Sequence, residues 1–131
     1  MGKRRLFLCF GSWSEGDELA LELCESLGRK LRSADFAKCT NPFEVANRIK
    51  SKGDRDVVII DVVRGLKKAK VFNGADAFHK TKSITAHDLD LCTVLKLMEA
   101  TEKRKFRIIG VPFGSEKEKA AKDVEKAIKG L

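Results

Sequence analysis

The chain has 131 residues, with 27 Lys and Arg against 19 Asp and Glu, giving a formal net charge of +8; 43% of residues are hydrophobic, 35% are charged and two are proline. That length fits one domain, residues 1–131, and the composition excludes disordered, collagen-like and low-complexity chains. No apolar run approaches the roughly 18 residues of a membrane span, and the short run after Lys3, Arg4 and Arg5 is no signal-peptide core, so a cytoplasmic protein with no membrane partner is expected.

Strand-length apolar segments alternate with helical periods, the pattern of an α/β domain. Leu6 to Phe10 reads as a buried first strand stopping at Gly11. From Asp17 the period changes: Leu19, Leu23, Leu27 and Leu31, with Ala20 and Cys24 alongside, form the inward face of a first helix. Asp35 to Cys39 is a short second strand. Asn41 then caps a helix with Pro42 at its first position, which turns Phe43, Ala46 and Ile49 inward and closes at Gly53.

Asp56 to Ile60 is apolar after its first residue, as suits a central strand covered on both faces, and Asp61 follows at its carboxyl end. Arg64-Gly65 turns the chain into a fourth strand over Lys68 to Phe72. That connection is too short for a crossover helix, so the strand should run antiparallel. Asn73 to Ala86 is polar and reads as loop. A helix from Asp88 to Ala100, a fifth strand from Phe106 to Val111 and a last helix opened by a Ser115/Glu118 capping box complete the chain. The buried stripe of the last helix is Ala120, Ala121, Val124, Ala127, Ile128 and Leu131.

Cys9, Cys24, Cys39 and Cys92 lie far apart with no C-x-x-C pair, which argues for reduced, buried thiols rather than a zinc knuckle or a disulfide framework. No thiol has an evident base beside it, and the glycines of residues 11–16 match neither a dinucleotide nor a phosphate loop. The basic clusters lack the interleaved aromatics of a nucleic-acid platform, so no nucleic-acid partner is expected.

In an open α/β sheet, ligands bind beyond the carboxyl ends of the strands, where loops converge. The exits that fall there carry Asp17 and Glu18 after the first strand, Asp61 after the third, and His87 with Asp88 before the helix of 88–100. Singly, each has a structural reading: an acidic pair opposing a helix dipole, a turn cap, a surface histidine. Together, Glu18 or Asp17, Asp61 and His87 supply two oxygens and one imidazole nitrogen, a donor set suited to nickel, zinc or cadmium and poorer for magnesium.

A first strand ending in Gly11, the pair Asp17-Glu18, Val58-Ile59-Ile60-Asp61 on the central strand, Thr85-Ala86-His87-Asp88-Leu89 before an apolar helix and Ile108 to Pro112 on the last strand are in the order of a known family. Over roughly residues 6–128 the chain resembles the hydrogenase maturation endopeptidases, which remove a carboxyl-terminal extension from the large-subunit precursor of nickel hydrogenases after nickel insertion. The resemblance implies a three-layer α/β/α sandwich: a five-stranded, mostly parallel mixed sheet with one antiparallel strand and helices on both faces. It further implies that Glu18, Asp61 and His87 hold the nickel carried by the substrate, for which zinc or cadmium can substitute, and that the partner is the precursor. Thr40 and Asn41 fall in the loop that would engage the substrate. Asp17 is the candidate base, although adjacent helical residues diverge by about 100° and cannot both face one ion squarely. Two motifs depart from the family: Gly11-Ser12 replaces its Gly-Asn, and Cys39-Thr40-Asn41-Pro42 replaces a glycine-rich loop. A rival reading is a non-catalytic basic α/β module binding nucleic acid or an acidic protein.

Overall fold

The computed structural model describes residues 4–14, 16–81 and 86–131, with the side chains of 81 and 86–89 excepted. The two longest apolar runs lie at the middle of the molecule. Strand β1 (Leu6–Phe10) and strand β3 (Val57–Val63) are buried at every position, and a strand buried on both faces needs helices on both sides. Five strands form one sheet in the order β2-β1-β3-β5-β4, with β2 spanning Asp35–Cys39, β4 Lys70–Asn73 and β5 Arg107–Pro112. All neighbouring pairs are parallel except β4 with β5.

Alternation along the strands sends side chains to two separate cores. On one face Phe7, Cys9, Val58, Ile60, Ile109 and Val111 pack against helix α1 (Glu18–Lys30) and the final helix α5 (Lys117–Lys129), through Leu23, Leu27, Ala120 and Val124. On the other, Leu8, Phe10, Ile59, Val63 and Ile108 meet helices α2 (Pro42–Lys50), α3 (Ala75–Thr81) and α4 (Ala86–Glu102), through Val45, Phe78, Leu91 and Leu95. Each such fully buried Leu, Ile or Phe contributes about 1.5–3 kcal/mol relative to an exposed one. The fold is the three-layer α/β/α sandwich that the sequence implies, and the cysteines are all free and buried.

Several local expectations are corrected. The polar stretch after Asn73 carries helix α3, because Ala75 and Phe78 are wholly buried and Phe78 meets Phe72 edge to face at 5.4 Å. Glu99 fixes this corner: one of its oxygens accepts from the backbone N–H of Ala75 at 3.1 Å and of Phe106 at 2.9 Å. Phe43 points outward with 77% exposure, since α2 buries Val45 and Ile49, four residues apart, and Phe43 lies across the helix from them. Helix α2 ends at Lys50 with Ser51 as its cap, before Gly53 is reached. At the other end Ser115 does not cap α5; Glu116 occupies that position with no side-chain cap bond, and the Ser115 N–H turns back to Pro112 O. The antiparallel β4 pairs with β5, which enters the sheet between β3 and β4.

Candidate active site at the carboxyl edge of the sheet

Two of the candidate ligands belong to elements on one face of the sheet. Asp61 is not at the end of β3, as expected, but two residues short of it, paired in register with Phe10, the last residue of β1, and with Gly110 of β5. It is 4% exposed and shares its strand parity with Ile59 and Val63, so it faces the α2, α3 and α4 side. Helix α4 packs on that same face and carries His87 as its second residue, inside the helix rather than in the loop before it. The side chain of His87 lies outside the described residues.

Glu18 arrives from the β1–α1 connection. Asp17 occupies the cap position of α1, rather than its first turn, and makes no side-chain cap bond; its Oδ2 accepts from the Ser12 hydroxyl at 3.4 Å. Gly11 lets the connection turn this tightly, because a Cβ there would meet Asp17 O and sit 3.3 Å from Leu21. Gly16 has φ +88°, and a Cβ on it would fall inside the Phe113 ring. The β1–α1 and β5–α5 loops are thus pressed together, and the Arg64 guanidinium lies over the Phe113 ring at 3.9 Å. Between these loops lies a cavity of about 260 Å³ lined by Gly16, Glu18, Glu22, Gly114, Ser115 and Lys117.

Glu18 Oε2 is the one buried side-chain polar atom among the described residues with no hydrogen-bond partner. A buried carboxylate oxygen left unmatched costs on the order of 1–3 kcal/mol or more, a deficit that a cation removes. No group of three or more His, Cys, Asp or Glu side chains among the described residues has the geometry of a metal site, and the triad proposed from sequence includes His87, which lies beyond them.

Thr40 and Asn41 have a local task in addition to any role toward substrate. Asn41 Oδ1 accepts from Glu44 N at 3.0 Å, while Glu44 Oε1 accepts from Thr40 N at 3.0 Å and Thr40 Oγ1 at 2.8 Å, a capping arrangement that opens α2. The Thr40 backbone N–H and hydroxyl hold the Glu44 carboxyl below its ordinary range. Sequence reasoning missed the aromatic rim: Trp13, 66% exposed, and Phe43 flank the openings after β1 and β2. An outward Phe43 was legible from the i, i+4 pair Val45/Ile49, which competes with the spacing of Phe43, Ala46 and Ile49.

The thiols divide by environment. The Cys9 thiol is pushed well up by its hydrogen bond with Cys24 and by burial; the same bond holds Cys24 down, with Lys38 assisting. Burial pushes Cys39 up to about 12. His79 is half-buried, and its Nδ1 accepts from Lys96 Nζ at 2.8 Å.

No protein-family model and no curated protein matches the sequence. Solved structures do match. The [NiFe] hydrogenase maturation protease HybD from Thermococcus kodakarensis is 23% identical, aligned over 97% of this chain and 98% of that one with a TM-score of 0.70. The hydrogenase maturating endopeptidase HybD from E. coli is 17% identical over 98% and 93%, with a TM-score of 0.67. The maturation protease HycI from T. kodakarensis KOD1 is 16% identical over 96% and 90%, with a TM-score of 0.65. Over nearly its whole length, this chain has the fold of the hydrogenase maturation proteases.

Proposed function

We propose that this protein is an endopeptidase that removes the carboxyl-terminal extension of a nickel-hydrogenase large-subunit precursor after nickel has been inserted. The observation that carries the reading is the unpartnered, buried Oε2 of Glu18 at the start of α1, on the edge where Asp61 and the first turn of α4 also lie. The fold shared with solved maturation proteases supports it. In this reading Glu18, Asp61 and His87 hold the nickel that the substrate brings, so that only a loaded precursor docks with its scissile bond in place.

Two carboxylates and one imidazole leave positions open for ligands from the precursor itself. Glu18, Asp61 and His87 would hold the substrate's nickel, which would supply Lewis acidity toward the scissile carbonyl, and a carboxylate of this chain would take a proton from the attacking water. Asp17 is the candidate for that step, held by the Ser12 hydroxyl. Trp13 and Phe43 offer apolar surface on which the precursor can rest. The test is incubation of the protein with nickel-loaded and nickel-free precursor, followed by mass spectrometry. Loss of a carboxyl-terminal peptide from the loaded form alone is expected; cleavage of both forms, or of neither, overturns the reading.

A further inference from the structure

Among the described residues, strand β2 is an edge of the sheet, paired only with β1. The two bonds at its ends fix which way its backbone faces: Asp35 N donates to Arg5 O at 2.9 Å, and Cys39 O accepts from Gly11 N at 3.1 Å. Residues 35, 37 and 39 therefore turn their N–H and C=O groups toward β1. By alternation, those of Phe36 and Lys38 turn to the open edge.

Exposed edges are commonly guarded by a proline, a bulge or an outward lysine. Here β2 has no proline and keeps an unbroken register, and Lys38 is drawn off the edge. Its ammonium is paired with Glu25 of α1 and lies 5.3 Å from the centre of the Trp13 ring. Phe36 stacks on Phe7 with ring centroids 4.8 Å apart, which holds the strand rigid.

A groove of about 450 Å³ runs beside this edge, between β2 and the last turns of α1. Its floor includes Gly28 and Phe36, and its carboxylates are already engaged: Glu25 by Lys38, and Asp35 by Arg4 at 2.9 Å. Arg29 and Arg32, both exposed, line the groove and form no ion pair among the described residues. The groove thus presents two guanidinium groups with no ion pair among the described residues, Arg29 donating only its Nε to Glu25 O at 3.3 Å, beside the outward backbone donor and acceptor pairs of Phe36 and Lys38.

We infer that the β2 edge is a docking site for an extended, acidic segment of a partner protein, which adds to the sheet as a sixth strand and sets alternate carboxylates against Arg29 and Arg32. Backbone pairing supplies the directional part of the binding and the alternating side chains supply the selectivity. The site shares no lining residue with the cavity that holds Glu18, so it stands or falls apart from the processing reading.

The probe is a short synthetic peptide alternating glutamate with valine, titrated into the intact protein and followed by amide NMR. Saturable binding that shifts and protects the Phe36 and Lys38 amides is expected. Methylating the peptide nitrogens that face β2 should abolish it, while methylating the alternate nitrogens should leave it. The double variant R29E/R32E, altered only at exposed positions, should keep its circular dichroism spectrum and bind about tenfold more weakly. Equal binding of both methylated peptides, equal competition by a single-stranded oligonucleotide, or no saturable binding of the unmodified peptide overturns the inference.

Discussion

The two ends of the sheet treat their carboxylates differently. At the amino end, Asp56 receives Arg5 at 3.1 Å, Arg104 at 3.0 Å and Arg107 at 2.8 Å, so three strands and the turn before β5 are tied to one side chain. At the carboxyl end, Glu18 is only half-buried, but its Oε2 is closed off from solvent with no partner among the described residues, between loops pressed together through Gly16 and Phe113. An over-satisfied carboxylate holds a fold together, while an under-satisfied one at a strand exit is set up for something that arrives from outside. The contrast separates the structural end of the sheet from the end where the proposed site lies.

The sharpest way to break this contrast is to remove a proposed ligand. His87→Ala and Glu18→Gln should each abolish detectable processing of loaded precursor, while the melting temperature of the protein stays within a few degrees of wild type. Processing at the wild-type rate by either variant would remove the carboxyl edge from the chemistry. Gly16→Ala should act on both readouts: the positive φ and the collision with Phe113 should cost about 1–3 kcal/mol in denaturant unfolding, and the displaced loop should slow processing. Gly114, with φ +81° and nothing within 4 Å of an added Cβ, should lose only the conformational part, about 1 kcal/mol, on mutation to Ala.

Asp56→Ala is the reciprocal experiment at the amino end. It leaves three guanidinium groups without their shared acceptor and should cost about 1–2 kcal/mol in stability, with the folded fraction processing normally. A loss of processing beyond the loss of fold would mean that the two ends are coupled.

Thiol reactivity gives the finest discrimination. Cys24 lines the β2 groove and its thiol is held below its ordinary value, so alkylation near neutral pH should label Cys24 first and leave processing intact. Cys39 keeps its proton up to about pH 12 in the folded chain, whereas an ordinary thiol loses it near 9.0. The raised value favours the folded state fully below that ordinary pKa, and this contribution is lost as pH rises from 9.0 toward 12. Mutating Cys39 to Val should flatten that alkaline decline in urea midpoints.

Much of the architecture was legible because its strongest signals are local. The apolar runs of β1 and β3, the four-residue leucine period of α1 and the Asn41-Pro42 start of α2 each declare their element without help from distant residues. Helix α3 was not legible, since what fixes it is remote: Phe72, and Glu99 on another helix. Asp61 was placed by the sequence one strand end too early, because the apolar run resumes beyond it as Val62-Val63 and a buried aspartate inside a strand looks like a terminus. Topology alone put the β1–α1 connection that carries Glu18 and the late part of β3 that carries Asp61 toward the carboxyl end of the sheet. The unmatched oxygen of Glu18 was not legible, because burial of a single atom depends on how two loops close over it.

The position of β5 has a consequence for how the molecule comes into being. It enters between β3 and β4, so while residues 107–112 are still missing, a growing chain can form the β2-β1-β3 half of the sheet but cannot join β4 to it. The loop that carries Phe113 follows β5, and the cavity around Glu18 has no second wall until that loop exists. Synthesis itself therefore withholds the cavity until residues 107–117 have been made, and fragments truncated before β5 should lack the cleft altogether.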